Sequence, residues 1–255
     1  MIKKCLQCNS EEYKIIYNFE SIPVKKRIGK KKDIVKCKNC KLIYCFPRNQ
    51  NESMLDIYRK NYWDEFQIKV GEKSIKYRRK EFEKISEERI EFISKIKSYG
   101  KLLDVGCSEG FLVYEAKKKG YNSFGIDLNQ KNIEYGKKKY NIKLKNSMIK
   151  NYREKNFDVI TSFNVLEHVS FPDLMIKEME KRIKKNGLLV IGTHDILCRN
   201  HKIEKQKWKH IIPNEHLYYF SKKTLKNLVE KENFRLIKYM KPINNSIVGY
   251  FKCIK

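Results

Sequence analysis

An α/β fold, with a parallel sheet covered by helices on both faces and a small metal-clipped domain before it, is what this sequence predicts. Three observations carry that expectation. From residue 101 short apolar runs alternate with longer helical segments, two Cys-x-x-Cys pairs lie near the N-terminus, and 41% apolar content over 255 residues can fill one large core plus an appendage. No stretch approaches the roughly 18 to 20 apolar residues needed to span a bilayer, and MIKKCLQCNS lacks the apolar run of a secretory signal, so a cytoplasmic protein without a membrane span is expected.

In that setting, eight cysteines argue against a disulfide framework. Cys5 and Cys8 (CLQC) and Cys37 and Cys40 (CKNC) are separated by 28 residues. Two such turns supply the four thiolates of a tetrahedral structural Zn2+ and leave no open position for catalysis. The segments YKIIYNF (13 to 19) and DIVKC (33 to 37) between them favour strands, which suggests a β-rich zinc ribbon over residues 1–48 whose slight core depends on the metal. Free or redox-active thiols are the alternative, and Cys45 is a spare ligand of poorer spacing.

Residues 49–98 form a linker, polar at first and then helical: Phe82, Ile85, Arg89, Phe92, Ile93 and Ile96 fall near a 3.6-residue stripe that Gly100 ends. Residues 99–255 hold the alternating core. KLLDVG, YNSFGID, FDVITSF and GLLVIGTH are its strands, and 109 to 120, 129 to 140 and 173 to 185 its helices. In such a sheet the ligand sits at the carboxyl ends of the central strands.

The first strand runs into LLDVGCSEG, with Asp104, Gly106 and Gly110, and Asp127 closes the next strand about twenty residues on, where an acid can accept bonds from ribose hydroxyls. The pattern is not the dinucleotide G-x-G-x-x-G. It resembles motif I of the class I S-adenosylmethionine-dependent methyltransferases, D-x-G-x-G-x-G, with Ser108 at the middle glycine. FDVITSFNVLEHV resembles that family's fourth-strand motif and NGLLVIGTH its fifth strand, so the resemblance covers about 100 to 255 and implies a Rossmann-like methyltransferase sheet. It implies S-adenosyl-L-methionine as cofactor, held by Asp104, Gly106, Cys107, Ser108, Gly110, Asp127 and Leu128, with Asn164, Val165 and Leu166 lining its methionine end. Asn146-Ser147 stands where many relatives place an acid beside the adenine.

Beyond the fifth strand, 27 residues carry His201, His210, His216, Trp208 and Pro213, a length more typical of a site-building insertion than of an idle loop. Ser221 is the expected cap of a following helix, and FRLIKYM and SIVGYFKCIK supply two final strands. PNEHLYYFS before that helix resembles sugar methyltransferases of bacterial surface-polysaccharide biosynthesis, which pair an N-terminal zinc-binding domain with a class I core. The resemblance makes Glu215-His216 the source of the catalytic base, with His194 and His168 in reserve. Their alternative roles are structural: His168 as a helix cap, and Glu215-His216 as polar residues beside a core strand. Trp208, Tyr218 and Tyr219 either stack on a sugar or fill the core. Carbon-methylating members have a further C-terminal domain, and the end of this chain after its last strand turns the expectation to a hydroxyl acceptor on a sugar or nucleotide-linked precursor.

The formal charge of +27 is mostly lysine spread along the chain, which suits a solvated surface as well as a polyanion partner. An RNA or another phosphorylated precursor is therefore the rival acceptor, although the five prolines include no Pro-Pro and no Pro-Cys, the marks of the commonest base-methylating routes. A non-catalytic zinc-ribbon module is the third reading; the intact Asp104, Gly106, Gly110 and Asp127 argue against it.

Overall fold

The computed structural model describes residues 4–26, 30–47, 62–213, 215–240 and 245–255, with side chains of 62–76 outside the description. The polar stretch expected from residue 49 lies outside the described residues as far as 61, as does part of the lysine run at 25 to 32. Two compact units emerge. One gathers residues 1–54, 164–177 and 191–251, the other 55–163, 178–190 and 252–255. The expected partition at 48 and 98 follows the sequence motifs, whereas these units follow spatial clustering.

Within the first unit, β1 (Tyr13–Tyr17), β2 (Asp33–Cys37) and β3 (Ile43–Phe46) form an antiparallel meander. Its register places Tyr13 opposite Cys37 and Val35 opposite Tyr44. The fourth strand of this sheet comes from far along the chain: β9 (Tyr218–Tyr219) pairs Tyr218 with Tyr44 and Tyr219 with Ile43. Ile22, Ile34, Ile43 and Cys45 share one apolar cluster with Ile196, Trp208, Ile211 and Tyr219. The ribbon's few apolar residues thus bury themselves with help from the 196 to 219 segment, which is how so short a meander obtains a core. The same unit holds α5 (Arg199–Glu204) and α6 (Lys222–Val229), the latter started by Ser221, whose hydroxyl accepts from the Thr224 amide in a capping box. It also holds β10 (Phe234–Tyr239) and most of β11 (Ser246–Cys253).

The second unit is built on β4 (Lys101–Val105), β5 (Asn122–Asp127), β6 (Lys143–Asn146) and β7 (Phe157–Phe163). Parallel pairing sets Leu103 beside Phe124 and Ile160, and Gly125 beside Leu144. Between the strands run α2 (Phe111–Lys118) and α3 (Gln130–Tyr140), with the long α1 (Tyr62–Ser94) before them. Leu102, Leu103, Val159 and Ile160 are fully buried, as strands covered on both faces require. With α4 (Pro172–Glu180) and the twelve-residue β8 (Ile183–His194), the strand order is β10-β11-β8-β7-β4-β5-β6. This is the helix-flanked, mostly parallel sheet that the alternation implied.

The stripe on α1 differs from expectation. Phe82 and Phe92 are 43% and 38% exposed, while Ser86, Ile90 and Ile93 are buried. The buried face includes Ser86, a small polar residue that hydrophobic periodicity overlooks, and Phe82 instead stacks on Phe111 with ring centroids 5.9 Å apart. No helix among the described residues is long and apolar enough to cross a membrane.

Candidate functional site

The turn from β4 into α2 takes its shape from alternate residues. Gly106, Ser108 and Gly110 adopt φ of +79°, +50° and +83°, the left-handed region that glycine enters freely and a serine does not. Ser108 thus occupies the conformation for which the middle glycine of motif I is suited, and its Oγ accepts from Nδ2 of Asn132 at 3.2 Å. Gly106 and Cys107 donate their amides to the carbonyl of Ile126 at 2.8 and 3.0 Å, and Cys107 is buried beneath the turn. A Cβ on Gly110 would lie 2.6 Å from Cδ1 of Ile142, and one on Gly136 would lie 2.1 Å from the carbonyl oxygen of Glu109. The loop is therefore held by backbone close to side chain and backbone close to backbone, contacts that only glycine permits.

Asp127 at the end of β5 faces this loop. Its Oδ2 accepts from the Ser108 amide and its Oδ1 from the Asn129 amide, each at 2.8 Å, and burial pushes its carboxyl upward. With the Leu128 amide as a further donor, the carboxylate still has a lone pair left to take a hydroxyl. Leu128 beside it is half-buried. Asn146 donates its Nδ2 to the carbonyl of Asp127 at 3.1 Å. Asp104 sits deeper: it is buried, accepts from Oγ1 of Thr161 at 2.7 Å, and is pushed up to about 6 by desolvation. That geometry ties β4 to β7. Sequence reasoning passed over Glu109, whose carboxylate takes a two-pronged ion pair from Arg79 at 2.9 and 2.8 Å.

In the first unit the expected site residues gather differently. Asn164 turns the chain after β7 with φ +55° and donates its amide to the carbonyl of Gly192 at 2.8 Å; it is exposed, Val165 is half-buried and Leu166 is buried. Directly after Leu166, Glu167 and His168 enter a cluster with His194, His210 and His216. The rings of His194 and His210 stack with centroids 3.5 Å apart, His168 meets His216 edge-on at 4.7 Å, and His194 lies 5.5 Å from His216. Nδ1 of His216 lies 2.7 Å from the carbonyl oxygen of His210, and Nδ1 of His168 lies 2.8 Å from that of Glu215. A carbonyl can only accept, so in each case Nδ1 carries a proton.

Desolvation pushes His194 and His210 down to about 3 and His216 well below the ordinary histidine value, with neighbouring histidines adding to it. At neutral pH these three imidazoles are uncharged.

Glu215 meets this cluster through its main-chain carbonyl, whereas the carboxylate within it belongs to Glu167, buried with Oε1 3.8 Å from Nε2 of His194. Sequence reading missed Glu167 and His210 as partners of His216. The only available signal for Glu167 was an acid beside a histidine just past a core strand. Trp208, Tyr218 and Tyr219 are 1%, 1% and 4% exposed, so of the two roles they were given, filling the core is the one they have.

The N-terminal cysteines converge as expected. Sγ of Cys5 is 3.5 Å from that of Cys40, Sγ of Cys8 is 3.5 Å from that of Cys37, and all four lie within 4.8 Å of one another. That is far beyond a disulfide bond and close to the edge of roughly 3.8 Å that a tetrahedron with metal–sulfur bonds of about 2.3 Å requires. The hydrogen bond between Cys5 and Cys40 favours ionisation of one of the two thiols over that of a free cysteine. Cys45 is not in this group; its Sγ faces the carbonyl of His216 at 3.2 Å.

Comparison with known proteins adds to this geometry. A family model described as "Methyltransferase domain" matches residues 77–239. The ubiquinone biosynthesis O-methyltransferase of Pelagibacter ubique (strain HTCC1062) is 41% identical over 101 residues, which cover 36% of this chain and 41% of that protein. The protein of the same name from Rickettsia prowazekii (strain Madrid E) is 32% identical over 160 residues, 56% of this chain and 59% of that one. The matches thus span about 40% to 60% of these relatives' length. Among solved structures, magnesium protoporphyrin IX methyltransferase from Synechocystis PCC 6803 with bound SAH superposes with a TM-score of 0.62 at 14% identity, covering 78% of this chain and 97% of that one. At that identity the likeness is one of fold.

Proposed function

Because the chain belongs to the methyltransferase-domain family, we propose that it transfers the methyl group of S-adenosylmethionine to a hydroxyl oxygen of a small molecule. The observation that carries this reading is the left-handed loop at Gly106, Ser108 and Gly110 closed by the Asp127 carboxylate. Such a loop suits a cofactor with a ribose and no phosphate: Asp127 accepts the ribose hydroxyls, and close backbone approach takes the place of a phosphate cradle. The names of the relatives favour oxygen as the acceptor atom.

The bound cofactor supplies an activated methyl group. What the protein adds is a hydroxyl held in line with it and a group to receive the hydroxyl proton as the carbon–oxygen bond forms. His216, neutral and with Nε2 unprotonated, has the protonation state of such an acceptor. His168 and His194 share that role's requirements, being placed after β7 and at the end of β8, strand ends where this fold class takes its ligands. Glu167 is better suited than Glu215 to stabilise an imidazolium, because its carboxylate is the one beside the rings. Cys5, Cys8, Cys37 and Cys40 hold a structural zinc ion in this reading.

Two acceptor classes have support. The zinc ribbon and the Glu-His-aromatic run favour a hydroxyl of a sugar or nucleotide-linked precursor of a surface polysaccharide, while the relatives' names favour a ubiquinone precursor. Calorimetry with S-adenosylmethionine tests the shared premise. Binding is expected, with affinity reduced about 10- to 100-fold in Asp127→Ala, the loss of hydrogen bonds to a charged group worth roughly 1.5–3 kcal/mol; absence of binding at high cofactor concentration refutes it. Mass spectrometry of methyl transfer to nucleotide sugars against hydroxylated ubiquinone precursors then separates the acceptors, and His216→Ala at full rate would remove His216 from proton transfer.

A further inference from the structure

We propose that His194, His210 and His216 form a second metal site, taking a late first-row divalent ion such as zinc, with Glu167 as its charge-compensating neighbour.

The three residues come from the end of β8, the segment after α5 and the approach to β9, yet each offers a ring nitrogen within 4.8 Å of the others. Three imidazoles suit zinc, copper, nickel or iron and disfavour magnesium or calcium, which prefer oxygen. A zinc ion binds imidazole nitrogen at about 2.0–2.1 Å, so these atoms need to draw in by about an ångström at most to share one.

The surroundings match what holds a metal-binding imidazole. Nδ1 of His216 donates to the carbonyl of His210 at 2.7 Å, which fixes the tautomer with Nε2 available and orients the ring.

Glu167 is the second, independent observation. Its side chain is 2% exposed, its Oε1 lies 3.8 Å from Nε2 of His194, and apart from a weak approach of the Thr193 hydroxyl neither carboxylate oxygen makes a hydrogen bond among the described residues. Nδ1 of His194 is buried without a hydrogen bond as well. A buried carboxyl and a buried ring nitrogen left in this state are costly, and a cation among the three rings would offset both. Glu167 and His168 form a further close group with His216, so the carboxylate lies within reach of the same ion. His194 and His210 are only partly buried, which leaves a path for a metal to enter and a position open to another ligand.

This site is separate from the four cysteines, and its occupancy does not rest on methyl transfer. An ion there would engage the Nε2 lone pair that proton removal needs, so metal loading and base action by His216 exclude one another in a given chain. Metal content decides the site; turnover decides the function.

The test uses the full-length protein loaded with excess zinc and passed through a desalting column, followed by elemental analysis. One more zinc ion per chain is expected in the wild type than in the double variant His194→Ala/His210→Ala, with the cysteine-bound ion retained in both. Equal zinc content overturns the proposal. Because the double variant could misfold, X-ray absorption at the zinc edge of the wild type provides a second measurement: multiple scattering from imidazole rings alongside sulfur is expected, and a shell of sulfur alone overturns the site.

Discussion

The loop between β4 and α2 and the histidine cluster represent two ways of building a site. The loop is local: residues 104 to 110, Asp127 at the end of the next strand and contacts from Asn132, Gly136 and Ile142 shortly beyond define it, and its conformation follows from which positions admit a positive φ. The cluster is assembled from residues 167, 168, 194, 210 and 216, and its chemistry arises only when distant segments meet. The first depends on backbone conformation; the second depends on burial of polar side chains, with Glu167 lacking hydrogen bonds and three imidazoles held neutral. A local site survives the loss of distant packing, whereas an assembled one does not.

The four-cysteine centre offers the largest perturbation of that contrast. With the four cysteines holding zinc as proposed, stripping that ion with a chelator, or replacing Cys5 and Cys40 by serine, should destabilise β1, β2 and β3 by more than about 3 kcal/mol, a fraction of the roughly 10–16 kcal/mol that zinc supplies in small zinc domains. Because β9 and the 196 to 219 segment share the meander's apolar cluster, amides near His210 and His216 should lose protection with it. Hydrogen exchange read by mass spectrometry checks this. Amides of the β4 to α2 loop exchanging equally fast would contradict the distinction between a local and an assembled site.

How far each region was legible in the sequence follows the same division. The alternation from residue 101, the glycine loop, Asp127, the Ser221 cap and the Cys-x-x-Cys pairs were all visible, because each depends on residues close in sequence or on a repeated spacing. The stripe on α1 was legible only in part: Ile93 is buried as expected, but Phe82 and Phe92 are exposed, and the buried face includes Ser86, a polar residue that a search for apolar spacing passes over. His216 was singled out, but its partner acid was sought next door in Glu215 when the buried carboxylate comes from Glu167, 49 positions earlier. Nothing local in the sequence announces that Tyr218 and Tyr219 complete the sheet begun by Tyr13 to Phe46, and it is this pairing that makes them core residues.

A smaller effect should come from Asp104, where pH is the lever. Its carboxyl rises from 3.8 in an unfolded chain to about 6 in the fold, chiefly through burial, so the native state binds more protons between those values. The sign follows: stability falls as pH rises from about 4 to about 6, and the penalty is complete above that window. Asp104→Asn keeps an oxygen to accept from Thr161 and removes the charge. Relative to the wild type, the variant should therefore gain stability with rising pH, by an amount on the order of 3 kcal/mol for a shift of about two pKa units. Urea unfolding at pH 4 and pH 7 measures it; a difference that does not change between the two would mean that burial does not raise the Asp104 carboxyl in the fold.

The smallest effect belongs to Ser108, and it tests whether the loop is indeed a device of backbone shape. Holding an L-residue at φ +50° costs roughly 1–2 kcal/mol, which Ser108→Gly would relieve. Against this stand the entropy of an added glycine, about 0.5–1 kcal/mol, and the loss of the hydrogen bond from Asn132, about 0.5–1.5 kcal/mol. The opposing contributions nearly cancel, so stability in urea should shift by less than about 1 kcal/mol and cofactor affinity by less than about threefold. Ser108→Val, which places a branched side chain at the same positive φ, should lose both stability and affinity. If Ser108→Gly instead weakened the cofactor tenfold, the serine hydroxyl and not the turn would be what the ligand meets, and the loop would resemble the histidine cluster in depending on a side chain.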